Sequence, residues 1–149
     1  MKNDLATLDL FEQVRSAKAR YCRFLDTKQW AAFAELLMPA PAIRMFDPAG
    51  ESIATFENRE AFVASAEAFL AGAQSIHQVH NDELSHVSES EVRAIWSMED
   101  CIVFPRDASD RPARMRGYGH YHETWLRTPD GWRITRLELR RTLLESTPR

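Results

Sequence analysis

Cysteine is nearly missing from this chain: Cys22 and Cys101 stand alone among 149 residues. Neither belongs to a Cys-x-x-Cys pair or to a Cys/His spacing that could hold zinc, so a disulfide scaffold and a zinc module are set aside and two buried free thiols are expected. Long apolar runs are missing too. Nothing approaches the roughly 18 consecutive apolar residues of a membrane span, and the opening Met1-Lys-Asn-Asp-Leu5 carries no continuous apolar segment. The expectation is a cytoplasmic protein with no membrane partner. Nor is there an excess of positive charge: the formal net charge is −3, which gives no long-range attraction for phosphates. The arginines towards the end, Arg133, Arg136, Arg140 and Arg141, are interleaved with Glu138 and strand formers. That is the pattern of a solvated strand face, and no nucleic-acid partner is expected. There is no phosphate-binding glycine loop, internal repeat or low-complexity linker, and no cofactor is expected.

What is present reads as one globular domain over residues 1–149. Apolar residues at 44% and charged residues at 28% sit near globular averages, which argues against disorder, collagen and coiled coil, and the length suffices for a real core. From about Asp4 to Asp26, Leu5, Leu8, Phe11, Val14, Tyr21 and Phe24/Leu25 recur at helical spacing, predicting a long first helix. A second, through Trp30, Phe33, Leu36 and Leu37, is expected to stop at Pro39 and Pro41. Ala42–Phe46 and Ser52–Phe56 flank Asp47-Pro-Ala-Gly50 as a short hairpin. Asn58 caps a third helix carrying Phe62, Phe69 and Leu70, with Gly72 as its stop. Turn or loop signals at 88–91, 105–112 and 129–131 then separate four strand-like segments, a meander of long antiparallel strands. Helices first and strands afterwards predict an α+β domain whose curved sheet wraps around the helices.

Alternation places His77, Val79 and Asn81 on one strand face and Gln78, His80 and Asp82 on the other, with Val79 marking the first as interior. An inward histidine needs a partner. Trp96, Met98 and Asp100 alternate onto one face of the next strand. There Asp100 sits among apolar walls as a proton donor or a holder of a substrate hydroxyl; with the opposite parity it is simply solvated. Gly117, Gly119, Tyr121 and Trp125 share a face, and strand glycines mark bends or the close approach of a ligand, so Tyr121 is placed in a pocket wall. On the other face, His120-x-His122 invites a metal reading, but Glu123 adjoins the pair and no third ligand is evident, so no metal is expected. Trp30, Phe33, Phe46, Phe62, Phe69, Trp96 and Met98 read as core or pocket lining, making any ligand substantially apolar.

Taken in order, the helix-end Tyr21-Cys-Arg-Phe-Leu-Asp26, the strand His77-Gln-Val-His-Asn81, Gly119-His-Tyr121 and the turn into Gly131-Trp-Arg-Ile134 resemble the NTF2-like superfamily, specifically its SnoaL-like branch. The resemblance covers nearly the whole chain. It implies a cone-shaped α+β roll, a curved and mostly antiparallel sheet around N-terminal helices with a pocket between them. It also implies an Asp/His dyad at Asp26 and His77, in which the carboxylate fixes the tautomer of the imidazole and raises its basicity. Tyr21 would polarise a substrate carbonyl, and Arg140 would close the pocket opposite an anionic group or else remain an exposed strand arginine. Asp26-Thr-Lys-Gln29 can equally be a capping box for the second helix, although a helix C-terminus disfavours a carboxylate. Tyr21 and Asp26 lie about 140° apart around an ideal helix, so both reach one pocket only if the helix ends or bends between them.

The activity implied is that of a small cofactor-independent lyase or isomerase, dehydratase-like, acting on an apolar carbonyl compound. His77 would take the proton, Asp26 orient it, and Tyr21 with Asp100 assist. Trp30, Phe46, Phe62, Asn81, Trp96, Met98, Tyr121 and Arg140 would bind the substrate. The alternative is a non-catalytic binding or dimerisation module. A homodimer through the outer sheet face, with Tyr118, His120 and His122 as interface candidates, is expected on the same resemblance.

Overall fold

An aspartate starts the chain's longest helix. In the structure, a computed structural model that describes residues 4–149, the Asp4 carboxylate accepts the Thr7 backbone N–H at 2.8 Å and opens α1, Leu5–Asp26. Residues 1–3, which begin both the opening segment and the 1–149 span discussed above, lie outside the described residues. Val14, Ala17, Tyr21, Cys22 and Leu25 form one buried stripe along α1, at the helical spacing that the sequence displays. Among the described residues, no helix is long and apolar enough to cross a membrane.

The second helix is shorter than expected: α2 runs only Trp30–Ala34, and strand β1 already begins at Leu37 and extends to Phe46. Pro39 and Pro41 therefore lie inside a strand rather than ending a helix. They are tolerated because pairing with β6 skips from Leu37 to Ala42, so neither proline occupies a paired position. The hairpin partner β2, Ser52–Phe56, and helix α3, Arg59–Phe69, follow as expected. Asn58 caps α3 by accepting the Ala61 N–H at 2.9 Å. Beyond its end, Gly72 takes a φ of 70°, which side chains other than glycine rarely adopt.

The rest is the meander: β3, Gln74–Ser88; β4, Glu91–Val103; β5, Arg114–Thr128; β6, Gly131–Thr147. These strands join the hairpin in one sheet of order β2-β1-β6-β5-β4-β3. Every neighbouring pair is antiparallel except β1 with β6, which is parallel. The concave face holds α1 and α3, and the core lies between.

Three bulges set which side chains point inward. His80 and Asn81 stand opposite the single residue Ser97, and Thr135 and Thr142 are extra residues in β6 opposite β5. Each inverts the alternation beyond it. Asn81 is consequently exposed, and Asp82 and Leu84 take the inward positions the simple pattern denied them. Likewise Leu137, Leu139 and Arg141 turn inward, while Arg140 faces out and pairs with Glu138 at 2.6 Å. Asn81 and Arg140 are thus corrected as pocket residues.

Of the two thiols, Cys22 is buried as expected, whereas Cys101 is half-buried on the outer side, because its neighbour Asp100 holds the inward position. Burial pushes the Cys22 thiol from an ordinary 9.0 up to about 11. A thiol that ionises at higher pH when folded retains its proton preferentially in the native state, so its contribution is complete below pH 9 and is lost as pH rises through 11. We expect about 2–3 kcal/mol of stability to disappear across that interval. Urea unfolding of the wild type at several alkaline pH values should show the decline, and Cys22→Ala should make it shallower, leaving the part that the buried Tyr21 and Tyr121 phenols carry above pH 10. An equally steep decline in the variant would mean that other groups carry it.

Candidate active site

α1 ends where β3 begins to be held. From the last residue of the helix, the Asp26 carboxylate crosses to β3 and accepts three hydrogen bonds: from the His77 backbone N–H at 2.7 Å, from the Ser75 hydroxyl at 2.9 Å, and from His77 Nδ1 at 2.6 Å. These donors offset the unfavourable position of a carboxylate at a helix C-terminus. The capping-box geometry is absent: α2 is preceded by Gln29, whose side chain caps nothing, and Thr27 instead returns its hydroxyl to the Arg23 carbonyl at 2.7 Å.

When Nδ1 donates its hydrogen to Asp26, an uncharged imidazole presents Nε2 as its acceptor. Nε2 faces Asp100 Oδ2 at 3.7 Å. Of the two parities left open for Asp100, the inward one holds, but its surroundings are not merely apolar. Arg141 grips it with two bonds, Nη1 to Oδ1 at 3.0 Å and Nη2 to Oδ2 at 2.8 Å. Gly117 makes room for this pair: a Cβ there would lie 2.0 Å from Arg141 Nη1 and 2.6 Å from Asp100 Oδ1. At Gly119 a Cβ would meet backbone instead, 2.2 Å from the Arg140 carbonyl oxygen.

His77, Asp100 and Arg141 share the polar end of a cavity of about 390 Å³ with the phenols of Tyr21 and Tyr121. Apart from Ser65, its remaining walls are apolar, with Phe46 and Phe56 from the hairpin, Phe62 and Phe69 from α3, and Ile102 and Met115 from the meander. Burial holds the Tyr21 and Tyr121 phenols well above their ordinary ionisation range, so both stay neutral donors. The angular separation of Tyr21 and Asp26 needs no bend in α1. Tyr21 borders the cavity directly, whereas Asp26 does not border it and reaches it only through His77.

Besides Asn81 and Arg140, three more expected lining residues sit elsewhere. Trp30 packs edge-on against Phe33, whose other neighbours are the cavity residues Tyr21 and Phe62, and so lies one layer behind the wall. Trp96 and Met98 are inward and buried but do not border the cavity, since the Trp96 indole is turned to Glu123 at 2.8 Å. Tyr118, His120 and His122 lie on the outer face as their parity demands. Among the described residues, no three His, Cys, Asp or Glu side chains gather into a possible metal site.

Sequence reading passed over Arg141, Ser75 and the buried pair of Lys18 with Glu123. Arg141 was hidden by the Thr135 bulge. Lys18, by contrast, left a readable signal, since it falls on the apolar stripe of α1 at i−3 and i−4 from Tyr21 and Cys22. So did Glu123, which alternation places inward beside Tyr121 and Trp125.

Comparison with known proteins places this architecture. A family model described as a SnoaL-like domain matches residues 6–138. The curated protein named Probable cyclase FGR4 from Gibberella zeae is 27% identical over 136 residues, 86% of this chain and 88% of its own. Among solved structures, a candidate scytalone dehydratase from Novosphingobium aromaticivorans superposes with a TM-score of 0.81 at 19% identity, over 96% of this chain and 95% of that one. A hexachlorocyclohexane dehydrochlorinase, LinA-type3 from Novosphingobium barchaimii, gives 0.76 at 16% identity, over 97% and 94%. The fold these structures share with the chain is the NTF2-like α+β cone.

The two glycines of β5 should fail differently when given a side chain. Gly119→Ala drives a methyl into backbone and should cost about 3 kcal/mol or more, lowering the thermal midpoint sharply. Gly117→Ala meets only side-chain ends, the Arg141 guanidinium and the Asp100 carboxylate, so it should fold while displacing the guanidinium from Asp100. Thermal melts with a crystal structure of the second variant would check this, and an undisturbed Arg141–Asp100 pair would contradict it.

Proposed function

The chain belongs to the SnoaL-like domain family, and from that premise we propose that it is a small lyase or isomerase, dehydratase-like, that acts through its own side chains on a largely apolar carbonyl compound. Its relatives carry the names cyclase, dehydratase and dehydrochlorinase, which are names for the processing of small molecules. The observation that carries the finer reading is the His77 imidazole held through Nδ1 by Asp26, with Nε2 left free at the polar end of an apolar cavity.

In this reading Nε2 removes a proton from the carbon next to the carbonyl. The C–H electrons pass into an enolate, whose oxygen is held by the neutral phenols of Tyr21 and Tyr121. Asp26 stabilises the imidazolium that results. If a hydroxyl stands on the neighbouring carbon, the imidazolium returns the proton to it, the C–O bond breaks and water leaves, giving a conjugated carbonyl. If no leaving group is present, return of the proton to a more distant carbon shifts the double bond. Both Asp100 oxygens accept from Arg141, so we assign Asp100 the task of fixing that guanidinium at the cavity wall rather than that of proton donor. The aromatic walls exclude water and strengthen each of these contacts.

The test is a panel of aryl β-hydroxy ketones in D₂O, followed by the absorbance of the conjugated product and by NMR for deuterium entering next to the carbonyl. His77→Ala and Asp26→Asn should each lower the rate by about 10²–10⁴-fold. A compound turned over equally well by His77→Ala would reject the dyad mechanism. Tight binding with neither water loss nor exchange would favour a binding module.

A further inference from the structure

Lys18 has no solvent exposure at all, yet it lies one turn from a cavity-lining residue and takes no part in the proton transfer described above. Its ammonium forms an ion pair with Glu123 of β5, and the second oxygen of that carboxylate accepts the indole N–H groups of Trp96 and Trp125, both at 2.8 Å. The same ammonium rests against two phenol rings, 3.7 Å from the centroid of Tyr21 and 3.6 Å from that of Tyr121. Those rings stand nearly perpendicular, at 75°, with centroids 6.0 Å apart. One cation thus sits on the face of two aromatic rings borne by different elements, α1 and β5.

The phenol oxygens complete the picture. Neither Tyr21 nor Tyr121 donates to any group among the described residues, although no fully buried side-chain polar atom lacks a partner. The two hydroxyls are therefore reachable, and since both residues border the cavity, they are reached from it. Two unpaired donors at the polar end of an apolar chamber suit a single acceptor oxygen. A buried ion pair is a poor device for stability, because apolar side chains of the same volume pack without the cost of desolvating two charges. The attraction between a cation and the face of a ring, by contrast, restrains ring orientation.

We propose that Lys18, anchored by Glu123, is a positioning residue that holds Tyr21 and Tyr121 so that both hydroxyls converge on the carbonyl oxygen of the substrate. This rests on the carbonyl reading given under Proposed function and adds the residue that organises its two-phenol donor. Lys18 touches no substrate. It acts by presenting one cation to both rings, and Glu123 fixes that cation against the indoles.

The probe is 2-acetylnaphthalene, an apolar aryl ketone whose carbonyl stretch falls when the oxygen accepts hydrogen bonds. Infrared difference spectra of the bound ketone should show the band lowered in the wild-type protein relative to its position in hexane, and Tyr21→Phe combined with Tyr121→Phe should abolish that shift. Lys18→Met combined with Glu123→Gln should lose most of the shift while retaining ketone binding and an unchanged or higher melting temperature, a result that a merely structural role for the pair would not produce. Should that variant not fold, Glu123→Gln alone, which frees the ammonium from its anchor, should broaden and partly reverse the shift. A full wild-type shift retained in both charge variants would overturn the proposal while leaving the carbonyl reading in place. Failure of the wild-type protein to bind the ketone or to move its band would overturn both.

Discussion

The site depends on a carboxylate placed where a helix least favours one. Asp26 ends α1, and its three hydrogen bonds to β3 tie that 22-residue helix to the edge of the sheet. One of these bonds fixes the start of the strand through the His77 backbone, and another fixes the side chain of the same residue. Strand position and imidazole orientation are therefore set by a single group. Removing it would leave His77 without the partner that determines which nitrogen carries the proton.

Around that junction, polarity is confined to one end of an otherwise aromatic and aliphatic chamber. Two opposed charge pairs stand in this interior: Asp100 with Arg141 at the cavity, and Lys18 with Glu123 behind the tyrosines. Each pair joins elements far apart in sequence, β4 to β6 and α1 to β5. Each is also accommodated by specific neighbours, Gly117 for the first and two indoles for the second. An unpaired charge in either place would bear the full desolvation penalty, so the pairs constrain how the helix and the strands can sit together.

Much of this was legible in the sequence, and the reason is locality. The stripe of α1, the Asp47–Gly50 turn, the Asn58 cap and the three meander turns depend on neighbours within one turn or hairpin. The pairing of Asp26 with His77 and the inward parity of Asp100 and Tyr121 also lay within reach, by resemblance and by counting in twos. What escaped was settled at a distance. β1 begins before its prolines because β6 skips over them, and the bulge at His80 and Asn81 is defined only against β4. The place of Lys18 on an apolar stripe was readable, but its partner, 105 residues away, was not.

The bulge at Thr135 also bears on how chains of this kind should be compared. Which arginine of β6 enters the cavity is decided by one extra backbone residue, not by the identity of the arginines themselves. Were that bulge ironed flat with no residue replaced, Glu138 and Arg140 would turn inward and Arg141 outward. Two relatives with matching letters in this strand can therefore present different chemistry, and two with mismatched letters the same chemistry. Alignments across β6 carry meaning only when anchored on the backbone irregularity, and evolution in this fold can exchange a site residue without a single substitution at the site.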